Sequence, residues 1–252
     1  YFGAHNGEMV HKSVHTTILM TIVLGIAFTF IGIAMAPAML RFMSTPDDVM
    51  ASSSEYLRIY FGGVIGLMLY NIASGILRAV GDSKRPLYFL IVSSVVNVVF
   101  DLVFVIVFKM GVAGVAWATI LAQFISAALA LLSLAKSDGD YKFVIRDLRM
   151  DWMVLKKVVR IGLPAGLQMA ITSFSNVFVQ SYINAFGSSC MAGWTSYSKI
   201  DQFILLPMQS LSLSATTFVG QNLGAGKLAR AKKGTRVSLV LSIAITAVLT
   251  VL

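Results

Sequence analysis

The feature that most constrains this chain is a series of apolar segments, each close to the length that crosses a lipid bilayer. A helix rises about 1.5 Å per residue and the hydrocarbon core is about 30 Å thick, so a spanning helix needs about twenty apolar residues. The composition, 57% hydrophobic and 12% charged, excludes an ordinary cytosolic enzyme and predicts an all-α integral membrane protein. Seven apolar segments occur, at 17–40, 56–77, 86–108, 112–134, 158–184, 190–219 and 237–252.

Basic residues mark alternate connectors between these segments. Sixteen of the twenty Lys and Arg residues lie in the connectors 1–16, 78–86, 135–160 and 221–236. The positive-inside rule requires this alternation of consecutive spanning helices, because basic connectors stay in the cytoplasm. The net charge of +9 therefore reflects membrane orientation, and we expect no nucleic-acid partner. A multi-pass protein of the plasma (inner) membrane is predicted, with the lipid bilayer as its surroundings.

One long connector divides the predicted helices into two groups. Residues 1–140 hold four apolar segments, residues 141–160 form the connector, and residues 161–252 hold three. Apolar residues recur at helical spacing between Trp152 and Val159, with basic residues elsewhere around the helix. This pattern predicts a helix lying in the cytoplasmic interface, which ends near Pro164 because proline re-aims the chain.

No set of residues has the spacing of a catalytic centre. The loose GxGxxA match at Gly224 follows a predicted spanning helix, whereas a dinucleotide fingerprint needs a preceding strand. The SxxK match at Ser196 is a chance match. His11 and His15, four residues apart, could hold a metal ion, but the sequence gives no third ligand. The single cysteine, Cys190, allows no intrachain disulfide, and we expect no cofactor.

Two carboxylates, Asp101 and Asp201, lie inside apolar segments. A charge at the centre of a spanning helix costs about 3 kcal/mol, so each marks a candidate functional site. Asn97 shares a helix face with Asp101, and Thr119 lies on the next helix, which a short hairpin holds nearby. An Asp among neutral oxygen and amide groups can take a proton or help to coordinate Na⁺. Lys199 and Asp201 are too close in sequence to share a face, which leaves a structural or a functional role open for this pair.

Neutral polar side chains recur every four residues along the fifth apolar segment. Such a stripe cannot face lipid cheaply, so it predicts either a substrate cavity or hydrogen bonding between helices. Amide and hydroxyl groups beside Met and aromatic side chains favour amphipathic organic compounds over one small, rigid substrate. The candidate cavity residues are Gln168, Thr172, Asn176 and Gln180, with Gln202 and Gln209 on the next segment.

Motifs over the whole chain resemble those of the multidrug and toxic compound extrusion (MATE) family of secondary transporters. They are Tyr1-Phe-Gly-Ala-His-Asn-Gly7, Gly75-Ile-Leu-Arg-Ala-Val-Gly-Asp-Ser-Lys-Arg-Pro86, Asn97-Val-Val-Phe-Asp101, Gly111-Val-Ala-Gly-Val-Ala-Trp-Ala-Thr119, Gly162-Leu-Pro164 and Gly220-Gln-Asn-Leu-Gly-Ala-Gly226. The resemblance implies two six-helix lobes around an inverted-V cavity, of which this chain would provide roughly helices three to nine. Residues 1–140 would then be the later part of the N-terminal lobe, and residues 161–252 the beginning of the C-terminal lobe.

The same resemblance implies a function and an ion site. It places an ion or proton site on an Asn-x-x-x-Asp helix, here Asn97 and Asp101, although the acid that some members carry in helix seven is missing from residues 161–184. The implied activity is export of amphipathic, often cationic organic compounds in exchange for H⁺ or Na⁺ by alternating access. The full-length protein is expected to be a monomer, and Na⁺ is the one candidate metal.

Two alternative functions follow from the same residues. A flippase for lipid-linked oligosaccharides, of the same superfamily, would more often line its cavity with cationic residues, whereas only Lys199 is embedded here. An intramembrane enzyme would need two catalytic groups within reach of each other, but Asp101 and Asp201 fall in different lobes. Transport of drug-like compounds is therefore the favoured hypothesis.

Overall fold

The computed structural model describes residues 1–42, 47–186 and 188–251, which are mostly helical and contain no strand; the longest connection is residues 136–151. A π-helical turn, Val103–Val107, continues α4, and 3₁₀ turns form at Phe2–Ala4 and Ile145–Asp147. A helix is present at each predicted apolar segment. The α-helices are α1 Gly7–Phe42, α2 Asp47–Gly62, α3 Val64–Ala79, α4 Lys84–Leu102, α5 Gly111–Ala135, α6 Trp152–Ala185, α7 Ser188–Gly224 and α8 Leu228–Val251.

Fewer helices than the predicted seven meet the length and hydropathy of a membrane span. Within the described ranges four do so, namely Gly7–Phe42, Lys84–Val107, Gly111–Ala135 and Gly193–Gly224. α2 and α3 together would make a fifth span with a bend of 44°. α6 carries the polar stripe and α8 begins with a basic segment, and these side chains lower the hydropathy of both helices.

The second apolar segment, predicted as one helix, is two helices that meet at Gly63. A Cβ atom on Gly63 would overlap the side chain of Ile120 on α5. The bend at Gly63 lets both α2 and α3 pack against α5. The break therefore depends on a contact between segments that are distant in sequence, which hydropathy does not reveal.

The predicted interfacial helix is instead the first part of α6, which continues from Trp152 to Ala185. Asp151 begins this helix, because its Oδ1 accepts a 3.0 Å hydrogen bond from the backbone N–H of Val154. Pro164 lies inside the helix and removes one backbone donor, but a long helix in an apolar medium tolerates this loss. The expectation that the helix ends near Pro164 was wrong.

The chain forms two compact units, one of Gly7–Val154 and the other of Tyr1–Asn6 with Leu155–Leu252. In the first unit α2, α3 and α4 pack on α5, and α1 packs on α2 and α3. Small side chains on α5 allow the backbones of neighbouring helices to approach closely. The small buried residues of α5 are Gly114, Ala116, Ala118, Ala122, Ser126, Ala127 and Ala130.

In the second unit α7 packs against α8, and the 3₁₀ turn Phe2–Ala4 packs on α7. Gly234 of α8 lies so close to the ring of Phe218 on α7 that a Cβ atom would overlap it. The guanidinium carbon of Arg230 is 5.7 Å from the centre of the same ring, a cation–π distance. Phe218 therefore contacts both Gly234 and Arg230 of α8.

Candidate functional site

The candidate ion site lies near the C-terminal end of α4, on one face of an otherwise apolar helix. Asn97 and Asp101 are one turn apart and both are half-buried. The Nδ2 atom of Asn97 and the Oδ1 atom of Asp101 are buried, and neither has a hydrogen-bond partner among the described residues. Leaving a buried polar atom unpaired costs about 1–3 kcal/mol. The Asp101 oxygen is available to a proton, a cation or a water molecule, and the Asn97 N–H groups are available to an acceptor such as a water molecule or a carboxylate.

Ser93, one turn before Asn97, fixes this face of α4 against α5. Its buried Oγ donates a 2.7 Å hydrogen bond to the backbone carbonyl oxygen of Ala122. Residues four apart lie on the same side of a helix, so the bond that orients Ser93 also orients Asn97 and Asp101. The rotation of α4 about its axis is therefore set by a polar contact within the apolar layer.

The helix becomes π-helical directly after the candidate site. The N–H of Phe108 bonds to the carbonyl oxygen of Val103 at 3.0 Å, and such π turns are found frequently at functional sites. The rings of Phe104 and Phe108 lie 6.1 Å apart along this turn. Gly114 of α5 faces it, and a Cβ atom there would be only 3.0 Å from the Cβ of Phe104. The lack of a side chain at Gly114 thus allows α5 to approach the turn.

Thr119 lies on α5, which packs on both α4 and the π-helical turn. Its Oγ1 donates a 2.9 Å hydrogen bond to the carbonyl oxygen of Val115. The hydroxyl proton is therefore used within α5, while the oxygen lone pairs stay free to accept. The structure places Thr119 in the same unit as Asn97 and Asp101 without a direct bond to the unpaired atom of either residue.

The predicted polar stripe lies on α6, where most of its side chains are exposed. The hydroxyl of Thr172 donates a 3.0 Å bond to the carbonyl oxygen of Gln168, within the same helix. Over the part of the chain that is described, α6 does not pack extensively on any other element. Gln168, Thr172 and Asn176 are exposed, Gln180 is half-buried, and Gln202 and Gln209 are exposed on α7.

Asp201 and Lys199 occupy different environments on α7. The carboxylate residue is half-buried and the lysine is exposed. The salt bridges of the described residues lie elsewhere, and none joins these two. The pair is therefore not a buried ion pair.

Sequence reasoning missed the π-helical turn and the role of Gly114. Val103–Val107 is an uninterrupted apolar run, so neither hydropathy nor spacing distinguishes it from ordinary α-helix. The glycine in Gly111-Val-Ala-Gly-Val could have been a signal, because a glycine inside a spanning helix often marks a close helix contact.

Comparisons with known proteins place this geometry in context. The MatE family model matches residues 1–103 and 164–252. A probable multidrug resistance protein of Bacillus subtilis, YoeA, is 33% identical over 258 residues, covering 100% of this chain and 56% of that protein. An FAD transporter of Shewanella oneidensis is 22% identical, over 94% of this chain and 53% of that protein. The chain thus spans about half the length of these curated relatives.

The fold is also similar to that of solved structures. One of them, an outward-facing multidrug resistance MATE family transporter of the MOP superfamily, superposes with a TM-score of 0.87 at 24% identity. The match covers 96% of this chain and 54% of that chain. The helix arrangement is therefore shared over nearly the whole chain.

Proposed function

Because the chain belongs to the MatE family, we propose that its protein exports amphipathic, often cationic organic compounds in exchange for inward-moving H⁺ or Na⁺. It is a multi-pass membrane protein of a transporter family and not an enzyme. Multidrug efflux is supported by the names of relatives such as the one in Bacillus subtilis. Ion exchange, and the residues that carry it, are our inference from α4.

The observation that carries the proposal is that a buried polar atom of Asn97 and one of Asp101 have no hydrogen-bond partner within the described ranges. An ionised carboxylate inside an apolar helix is costly unless a proton or a cation compensates it. Binding of H⁺ or Na⁺ at Asp101 removes this cost, and release restores it. A transporter can use this difference, because the state that holds the ion and the state that lacks it then favour different arrangements of the surrounding helices.

Asn97 and Thr119 supply neutral groups that suit either ion. Rotation of the Asn97 amide about its terminal bond exchanges its oxygen with its nitrogen, so it can donate to an ionised carboxylate or accept from a protonated one. The amide oxygen of Asn97 and the hydroxyl oxygen of Thr119 are hard oxygen ligands of the kind that Na⁺ prefers. We therefore assign direct binding of the ion to Asp101, and Asn97 and Thr119 adjust the affinity for that ion.

The exposed stripe on α6 supports amphipathic organic compounds as substrates. Its amide and hydroxyl groups are uncharged, so they can hydrogen-bond to many compounds without repelling a cation. Recognition of an anionic substrate would call for several cationic side chains, but between residues 161 and 226 the sequence has only Lys199. This single cation disfavours the alternative substrate, a lipid-linked oligosaccharide.

A dye-efflux assay in cells that produce the full-length protein tests the proposal. Cells are loaded with a fluorescent cationic dye, and efflux is followed after a protonophore is added or after external Na⁺ is replaced. We expect energised efflux that is lost under one of these treatments, which identifies the coupling ion. Efflux that survives both treatments, or movement of a lipid-linked oligosaccharide in place of the dye, would reject ion-coupled drug export.

A further inference from the structure

Two histidines and a carboxylate come together outside the candidate transport site. One ligand atom from each of His11, His15 and Asp147 lies within 4.8 Å of the other two. The first two residues are on α1, and Asp147 ends the 3₁₀ turn Ile145–Asp147. We propose that this group, the His–Asp cluster, binds a divalent transition-metal ion such as Zn²⁺.

The two imidazoles have the spacing that a metal ion needs. His11 and His15 are one helical turn apart on α1, and their ring centres are 4.0 Å apart. Histidines at this spacing on one helix face can ligate the same zinc ion. The Nε2 atom of His11 is also 3.2 Å from Oδ2 of Asp147, so a third ligand is in place next to the pair.

Backbone groups contact both ring nitrogens of His15, which is 1% exposed. Its Nδ1 is 2.8 Å from the carbonyl oxygen of His11, and its Nε2 is 3.0 Å from the carbonyl oxygen and 3.1 Å from the backbone nitrogen of Val144. Metal binding requires the tautomer that is protonated on Nδ1, which donates to His11 as a ligating histidine commonly donates its other ring N–H to a backbone carbonyl. In that tautomer Nε2 has a lone pair, which would bind the metal ion in place of the N–H of Val144.

The surroundings of the His–Asp cluster favour a cation with open coordination positions. A cavity of about 430 Å³ adjoins it, lined also by Lys12, Arg149 and Asp151. Lys12 is paired with Glu8 at 2.6 Å, so its charge is already offset. The same lining holds one arginine, Arg149, and two carboxylates, Asp147 and Asp151, and the cavity has room for water molecules as further ligands. A divalent cation would therefore not meet a net positive site.

The ligand set also selects the kind of metal. Two imidazole nitrogens and one carboxylate oxygen suit Zn²⁺, Co²⁺ or Ni²⁺, whereas Mg²⁺ and Ca²⁺ prefer shells of oxygen alone. A bound ion would link the segment around Asp147 to α1, two parts of the first unit that are far apart in sequence. The inference does not depend on the proposed transport function, and its test needs no transport measurement.

The test is metal titration of the full-length protein, purified in detergent without a polyhistidine tag. Zn²⁺ binding is measured by calorimetry, and Co²⁺ binding by its visible absorption spectrum. We expect one ion per protein, which millimolar Mg²⁺ does not displace. His11→Ala and Asp147→Asn should each weaken binding by about tenfold or more, as expected for loss of a direct ligand. His5→Asn is the matched control, since His5 lies in the other unit and Asn tolerates its left-handed backbone (φ 52°).

The side chains of His11 and Asp147 are 38% and 51% exposed, so both substitutions should leave the metal-free fold intact. Thermal unfolding without metal checks this point, and His11→Gln, which keeps most of the side-chain volume, serves if the alanine variant is unstable. Wild-type affinity for Zn²⁺ in a folded His11 variant or in Asp147→Asn would overturn the proposal. The absence of Zn²⁺ binding at micromolar concentrations would overturn it as well.

Discussion

The hydroxyl of Ser93 on α4 donates a buried 2.7 Å hydrogen bond to the carbonyl oxygen of Ala122 on α5. Further along the same face, the Asn97 amide nitrogen and one carboxylate oxygen of Asp101 have no partner among the residues that the structure describes. A satisfied polar contact therefore lies directly beside an unsatisfied pair. This order fits our proposal, in which Ser93 orients α4 and Asp101, with Asn97, binds the ion.

Ser93→Ala should destabilise the protein modestly and weaken its ion dependence. Loss of a hydrogen bond between membrane helices costs about 0.5–2 kcal/mol, and α4 then becomes free to rotate slightly against α5. Thermal unfolding in detergent measures the first effect and dye efflux at varied ion concentration measures the second. Ser94→Ala is the matched control, because Ser94 is exposed. Equal effects of the two substitutions would show that the Ser93 bond does not orient the site.

Asp101→Asn should abolish gradient-driven efflux while the protein still inserts in the membrane. The substitution keeps the size of the side chain but removes its titration and its charge, so efflux should fall by about tenfold or more, equivalent to at least about 1.4 kcal/mol. Asn97→Ala should reduce the ion dependence less severely. The control is Asp201→Asn, which removes the other intramembrane carboxylate and should matter less. Normal expression with unchanged efflux rate and ion dependence in Asp101→Asn would make Asp101 a structural residue.

Gly63→Ala should destabilise the first unit, whereas Gly62→Ala should not. A Cβ atom at Gly63 would overlap Ile120, but one at Gly62 would have no heavy atom of the described residues within 4 Å, apart from its own helix and chain neighbours. Overpacking costs about 1–3 kcal/mol, while replacing a helical glycine by alanine gains about 0.5–1 kcal/mol. Thermal unfolding of the two variants in the same detergent makes the comparison. If both variants melt alike, Gly63 does not contact α5 closely in the membrane.

Cys190 should be accessible from outside the cell. It lies in the first turn of α7, between two predicted spans whose other ends carry the basic connectors, and it is the single cysteine of the chain. The positive-inside rule therefore places it on the outer side. A membrane-impermeant maleimide should label it in intact cells, after any outer barrier is permeabilised, and Cys190→Ser should abolish the signal. Labelling that requires disruption of the plasma membrane would reverse the orientation.

Much of the fold follows from hydropathy alone, because the bilayer imposes one length on every spanning helix. The apolar segment 112–134 corresponds to α5, Gly111–Ala135. This helix begins at Gly111, whose backbone is left-handed (φ 56°). The break at Gly63 could not be predicted in this way, since it depends on Ile120 in another segment. The prediction at Pro164 failed for a different reason. The rule that proline ends a helix is local, whereas the long helix α6 continues through Pro164 with the loss of one backbone hydrogen bond.

Part of the candidate site could also be predicted from the sequence. Polar residues in an apolar helix stand out in any sequence, which is how Asn97 and Asp101 were found. That their polar atoms lack partners depends on how α4 is rotated, and no sequence pattern gives that rotation. The third member of the His–Asp cluster was hidden because Asp147 lies in a polar turn far along the chain from His11. The cavity residues on α6 and α7 stay a prediction.

The small residues of α5 have a mechanical consequence. Three helices pack on α5 where buried positions such as Ala116, Ala118 and Ala122 offer no side chain beyond Cβ. Contacts made so close to the backbone leave little room for sliding, because tightly packed atoms cannot shift without collision. We expect α2 to α5 to resist shear and to move as a rigid body, so that conformational change in this unit is concentrated at its connectors.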